Sequence, residues 1–148
     1  MDIFNLLKAD HDKVKGLLQK IEATEGPSEL DDLLGQLEQE LTLHSRLEEQ
    51  HFYPALQHDS QTQDLIPEAL KEHQRVDQVL EDLMDMLPEG QDWDETLKEL
   101  KKLVEHHVAE EENTIFPKAQ QVLGEKAKEL AERVQREKES VQRDLESA

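Results

Sequence analysis

The sequence predicts an all-α protein: an up-down-up-down four-helix bundle with an additional C-terminal helix. Three observations carry this. Apolar residues recur at alternating steps of three and four over long stretches, the period of one helix face. The stretches are interrupted briefly, at Gly26-Pro27, at Pro88-Glu89-Gly90 and at Gly124, as short loops between antiparallel helices require. The 148 residues hold only five glycines and five prolines, which leaves room for helices of many turns. Residues 1–123 are expected to form the bundle, and 124–148 a helix that packs on it or mediates self-association.

The first helix is expected from about Asp2 to Thr24, with Ile3, Leu7, His11, Val14, Leu18 and Ile21 on one face. The second starts near Ser28, a good N-cap with Asp31 and Asp32 in the first turn. It runs to about His58, and its stripe reads Leu30, Leu34, Leu37, Leu41, His44, Glu48, His51, Ala55. The third starts at Thr62 or Ile66 and runs to Leu87, with Ile66, Leu70, His73, Val76, Leu80, Leu83 and Leu87 in line. The fourth opens with Asp92 as N-cap and Glu95 three residues on, a capping-box pattern. It continues to about Leu123, with Trp93, Leu97, Leu100, Val104, His107, Glu111 and Thr114 on one face. The last segment repeats Leu123, Ala127, Leu130, Val134, Val141 and Leu145 at helical steps. Pro54 and Pro117 fall late in the second and fourth helices. Each frees a carbonyl one turn earlier, at Gln50 and Asn113, and the resulting kink would shape the bundle near the polar part of the stripe.

Charge and composition restrict the function. Lys plus Arg number 17 against 36 Asp plus Glu, a net charge of −19. Such a surface repels phosphate backbones and anionic membranes, so neither nucleic acid nor membrane is an expected partner, while divalent cations are attracted. The absence of cysteine excludes disulfides, thiolate metal sites and thiol nucleophiles, and suits a cytoplasmic protein. No apolar run approaches the roughly 20 residues of a membrane span, and the acidic start is unlike a signal peptide.

Every stripe is interrupted by a histidine, and two also by a glutamate one turn later. The pattern repeats within the chain. His44, Glu48, Tyr53 and Pro54 recur 63 residues later as His107, Glu111, Phe116 and Pro117. His11, Val14 and Leu18 recur 62 residues later as His73, Val76 and Leu80. Two similar hairpins related by a pseudo-two-fold axis are expected. The histidines also share one level. Each lies some 13 to 15 residues, or about 20 Å, from the loop of its own hairpin at ~1.5 Å per residue.

Four imidazoles and two carboxylates buried together are costly unless each is paired. A metal is the natural partner. In H-x-x-x-E, imidazole and carboxylate share one helix face. This donor set, without thiolate, suits iron, manganese or zinc. It is too large for one tetrahedral zinc. It suits two metals bridged by Glu48 and Glu111, each with two terminal histidines drawn from His11, His44, His73 and His107. Apolar walls at Leu41, Val76, Leu80 and Val104 would limit access of water. Glu49, Glu110 and Glu112 are read as solvated-face residues. His106 with Glu110 has the same spacing as His107 with Glu111, but continues a largely polar stripe and is expected to point outward.

The stretches "DIFNLLKADHDKVKGLLQKIE", "HSRLEEQHFYP", "KEHQRVDQVLEDL" and "HHVAEEENTIFP" resemble the hemerythrin-like HHE cation-binding domains. The resemblance extends from residue 1 to about 123. It implies a four-helix bundle around a non-haem di-iron centre, two iron ions bridged by carboxylate and oxo groups, with manganese or zinc as substitutes. Its ligands would be His11, His44, Glu48, His73, His107 and Glu111. One departure matters: oxygen-carrying hemerythrins place another histidine one turn after the third-helix histidine, where this chain has Asp77. His51, one turn beyond Glu48, is the alternative ligand or pocket-lining residue. The departure counts against reversible oxygen transport and leaves binding of oxygen, peroxide or nitric oxide, for sensing, storage or detoxification, and peroxide breakdown as an activity.

Two other functions compete. Glu48 to His51 reads E-x-x-H, the motif of ferritin-type carboxylate di-iron oxidases, but its repeat runs from Glu111 to Thr114 and lacks the histidine. The chain could also be a metal-free acidic interaction module that uses its surface and last helix, including as a homo-oligomer.

Overall fold

The computed structural model describes residues 2–147, with the side chains of 145–147 outside the description, so Met1, Ala148 and the expected stripe position of Leu145 lie beyond it. The described residues are almost entirely helical and include no strand. Helix α1 spans Ile3–Ala23, α2 Pro27–Leu47, α3 Ile66–Asp85, α4 Gln91–Glu110, α5 Phe116–Leu123 and α6 Lys126–Ser147. Helix α1 packs on α2 and α3 on α4, with α2 also against α3, while α6 lies against α1, α2 and α5.

Helix starts follow local chemistry, not always the expected residue. Asp2 caps α1, its carboxylate accepting from the Asn5 amide at 3.0 Å. Helix α2 is capped by Gly26, not Ser28: Pro27 occupies its first turn, where a missing N–H costs nothing. Helix α4 is capped by Gly90, two residues before the expected Asp92 cap. Gly90, at φ 91°, reverses the chain there, a conformation a side chain would strain. Asp92 and Asp94 then stand in the first turn, where the helix dipole favours them. Helix α3 stops at Asp85, so Leu87 leaves the core stripe and is 77% exposed.

The largest departure lies late in the second and fourth helices. Both change from α to π geometry at the stripe glutamates, over Glu48–Phe52 and Glu111–Ile115. The Tyr53 amide bonds to the Glu48 carbonyl and the Phe116 amide to the Glu111 carbonyl, five residues back. Pro54 and Pro117 follow directly and have no amide to continue the α pattern. The wider turn takes in one extra residue and rotates all that follows. The core face therefore passes from Glu48 to Phe52, Tyr53 and Leu56 instead of His51 and Ala55. It passes from Glu111 to Ile115, Phe116 and Ala119 instead of Thr114. The second helix ends in a short 3₁₀ turn at Tyr53–Ala55, before the expected His58.

Two apolar clusters result, one on each side of a polar layer. One holds Val14, Leu18, Leu34, Leu37, Val76, Leu80, Leu83, Trp93, Leu100 and Val104, next to the two hairpin loops. The other holds Leu7, Leu47, Phe52, Tyr53, Ile115 and Phe116. Ala127, Leu130, Ala131 and Val134 of α6 belong to this second cluster and cover it. Along each of α1, α2 and α3 a histidine marks the change from one cluster to the other, for example Leu7, His11, Val14. Burying apolar surface at roughly 25 cal/mol per Å² stabilises both halves. The layer between them cannot be held that way, because its atoms are polar.

Candidate metal centre

All six stripe residues meet in that layer and are buried, with Glu48 and Glu111 at 0% exposure. Each hairpin brings two imidazoles together, with ring centroids 4.8 Å apart for His11 and His44 and 4.7 Å for His73 and His107. The carboxylates connect the hairpins. Glu48 Oε1 lies 3.1 Å from Nε2 of His44, one turn earlier on its own helix, and 3.0 Å from Nε2 of His73. Glu111 repeats this, with Oε2 3.3 Å from His107 Nε2 and Oε1 3.1 Å from His11 Nε2. The donor atoms form two sets, His11–His44–Glu48–Glu111 and Glu48–His73–His107–Glu111, the atoms of each within 4.8 Å of one another. Both glutamates belong to both sets.

A shell of carboxylates holds the imidazoles from behind. Nδ1 of His11 meets Glu112 at 2.6 Å, His44 meets Asp10 at 3.2 Å, His73 meets Glu49 at 3.3 Å and His107 meets Glu72 at 2.8 Å. With the Nδ1 proton donated outward, the Nε2 lone pair is turned to the centre, as metal ligation requires. Glu49 and Glu112 thus do more than solvate a helix face. The repeat contained this signal: Asp10-His11 corresponds to Glu72-His73, and Glu48-Glu49 to Glu111-Glu112. Reading each stripe alone hid it, because the outer carboxylates lie off the stripe.

Tyr53 is the other residue that stripe reading missed. Its hydroxyl donates to Glu111 Oε2 at 2.9 Å and stands 3.3 Å from Glu48 Oε1 and 3.2 Å from His73 Nε2. Its repeat partner Phe116 stacks instead on His11, rings 7° from parallel and 6.1 Å apart. The centre is therefore close to two-fold symmetric in its imidazoles and carboxylates, and asymmetric in this hydroxyl.

The layer fits a cation. His44 Nε2 approaches Glu48 Oε1 without hydrogen-bonding geometry, and it and Glu48 Oε2 are buried without a hydrogen-bond partner. His73 Nε2 and His107 Nε2 face each other at 3.1 Å, a spacing that holds at most one proton between them and brings both nitrogens within reach of one cation. The electrostatics agree. Burial pulls the His44 imidazole down, but Glu48, Asp10 and Glu111 outweigh it and raise its pKa to about 10. Burial likewise lowers His107, and Glu111, Glu48 and Glu72 outweigh it to raise its pKa to about 12. Burial raises the Glu48 carboxyl, but His44 and the other neighbours hold it well below the usual range. Burial and the two glutamates push the Tyr53 hydroxyl up, so it keeps its proton. The raised imidazoles and hydroxyl express the carboxylates around them, and the lowered Glu48 carboxyl expresses the imidazoles that face it.

The secondary candidates are placed elsewhere. His51 Nε2 lies 3.2 Å from Glu137 of α6, outside both donor sets. The E-x-x-H pair with Glu48 therefore does not converge. Asp77 is outside both sets as well; burial raises its carboxyl pKa, and it lines a surface hollow with Glu49 and Leu80. The His106 side chain is 69% exposed, as its polar stripe predicts. The walls Leu41, Val76, Leu80 and Val104 are buried beside the layer.

Comparison with known proteins agrees with this geometry. The model of the hemerythrin HHE cation binding domain matches residues 2–119. A solved hemerythrin HHE cation binding domain-containing protein from Mycobacterium kansasii superposes with a TM-score of 0.84 at 28% identity, covering 95% of this chain and 86% of that one. A curated protein from Nostoc sp., described as a DNA nickase, is 27% identical over 119 residues. The match takes in 78% of this chain, which spans about a third of that relative's length.

Proposed function

The chain belongs to the hemerythrin HHE cation-binding domain family, and on that premise we propose that it is a non-haem di-iron protein reacting with a small ligand such as oxygen, peroxide or nitric oxide. The observation that carries this reading is the pair of donor sets sharing Glu48 and Glu111. Two separate mononuclear sites would not share both carboxylates. One ion would be held by His11 and His44, the other by His73 and His107, with the glutamates between them. Iron there would supply electrons and free coordination positions for a small ligand.

The protein's own groups would do the rest. Asp10, Glu49, Glu72 and Glu112 fix the imidazole tautomers. Tyr53, protonated and within hydrogen-bond reach of both carboxylates, would orient Glu111 and keep a hydroxyl proton next to any small ligand that entered the layer. Leu41, Val76, Leu80 and Val104 keep bulk water and large molecules away. Sensing, storage or detoxification of the ligand, including peroxide breakdown, all use this arrangement. The net charge of −19 supports a small ligand over a nucleic acid. The ferritin-type alternative loses its motif where His51 turns to Glu137.

The test is anaerobic loading with ferrous iron, metal analysis, then addition of oxygen, peroxide or nitric oxide while the absorption spectrum is followed. At least two irons per chain and a ligand-dependent spectral change are expected. Purely iron-free protein after loading, with unchanged stability, would favour the metal-free interaction module.

A further inference from the structure

Beside the buried centre, at the surface between α3 and α4, lies a third set of metal-type donors: Glu72, His106 and Glu110. His106 Nε2 stands 3.2 Å from Glu72 Oε2 and 3.2 Å from Glu110 Oε2, and the three donor atoms lie within 4.8 Å of one another. Each element contributes something that placement alone explains. His106 and Glu110 are one turn apart on the outer face of α4, and Glu72 reaches across from α3. One imidazole and two carboxylates, with a position left for water, is a donor count and type that zinc or ferrous iron accepts.

Glu72 also belongs to the inner layer. While Oε2 faces His106, its Oε1 accepts from Nδ1 of His107, an inner-set residue. A single carboxylate thus has one oxygen on the exposed set and the other on the buried one. His106 and His107 are neighbours in sequence, so the two sets are joined twice, through the backbone and through Glu72.

We propose that Glu72, His106 and Glu110 form an outer divalent-cation site that loads the buried centre. The binding part stands on this cluster alone; the loading part rests on the di-iron reading above. A hydrated ion drawn by the acidic surface exchanges part of its water for these three groups before it enters a layer that is closed to bulk solvent. His106 itself stays outside and takes no place in the inner sets.

Equilibrium dialysis of the full chain against zinc, with wild type, His106→Ala, Glu110→Gln and the double variant Glu48→Gln/Glu111→Gln, separates the two claims. Wild type should bind three zinc ions, one more than the two inner sets take. Both outer variants should bind two and keep the wild-type melting temperature of the metal-free protein, while the double variant should retain the outer ion. Equal counts of two in wild type and outer variants would overturn the outer site and leave the inner reading intact. One ion in wild type and none in His106→Ala would overturn the inner reading and keep the outer site. Stopped-flow uptake of ferrous iron tests loading. Severalfold slower filling of the inner centre in His106→Ala, at an unchanged final count of two, is expected, and equal rates would overturn the loading role.

Discussion

Tyr53 is where the two halves of the repeat differ at the centre, since Phe116 holds the equivalent position. Replacing it by Phe should preserve the fold, because the repeat already accommodates that ring. It should also remove a hydroxyl that donates to a buried carboxylate, costing the metal-free protein about 1–3 kcal/mol in urea denaturation. On the proposed function, ligand-dependent spectra of the iron-loaded Tyr53→Phe protein should change while its iron content does not. The outer carboxylates make a different prediction. Asp10→Asn should leave all six inner groups present yet weaken zinc binding by roughly 10–100-fold, because a neutral amide replaces the carboxylate that orients His44 and raises its basicity. The inner six could be read from sequence because a stripe residue of the wrong polarity is conspicuous. Tyr53 and Asp10 are harder to see: a tyrosine in an apolar cluster looks ordinary, and Asp10 stands out only through its repeat partner Glu72.

Histidine protonation gives the residue-scale pH dependence. In the unfolded chain His44 and His107 titrate near their ordinary value of 6.5; folded without metal they are raised to about 10 and about 12. A raised folded pKa gives stability that is complete below 6.5 and lost as pH rises toward 10–12. Metal-free protein should therefore melt at progressively lower temperature as pH goes from 7 to 10. Metal acts in the opposite direction, since it needs the Nε2 lone pairs and is displaced by protons on acidification. The gain in melting temperature on adding zinc should grow with pH over the same interval.

At the scale of elements, the π turns are what sequence periodicity could not supply. Steps of three and four continue smoothly through Glu48 to His51 and Ala55, and nothing in that rhythm marks an extra residue. The signal lay in the aromatic-proline pairs Tyr53-Pro54 and Phe116-Pro117, five residues after each glutamate. Pro117→Ala restores an amide that can bond to the Asn113 carbonyl and so favours the α register. Circular dichroism should show helix content unchanged or slightly raised, while zinc affinity falls severalfold because Glu111 and Phe116 no longer keep their relative rotation. Helix α6 matters to the same layer. Lys138 Nζ bonds Asp10 Oδ1 at 2.5 Å, and Asp10 in turn holds His44. Lys138→Met should keep α6 docked through Leu130 and Val134 but weaken zinc binding in the manner of Asp10→Asn.

The whole molecule is two apolar clusters joined by a charged layer. Composition, periodicity and the internal repeat sufficed to foresee the helical bundle, its order and the level at which the histidines meet. They did not reveal that the layer divides the core in two, because that depends on which stripe residues face each other across helices. In such an arrangement metal does more than occupy a site. Without it, buried donors such as His44 Nε2 and Glu48 Oε2 lack hydrogen-bond partners in the middle of the fold. An ion that binds only the folded chain stabilises it by about 2.7 kcal/mol when present at 100 times its dissociation constant.

On the proposed function, Glu48 and Glu111 together hold two ions. Iron content after anaerobic loading, measured in parallel on wild type and on Glu48→Gln/Glu111→Gln with His106→Ala in both backgrounds, tests it most directly. Two irons per chain are expected in the first and none retained in the second. One iron per chain in the first, or two retained in the second, would contradict it.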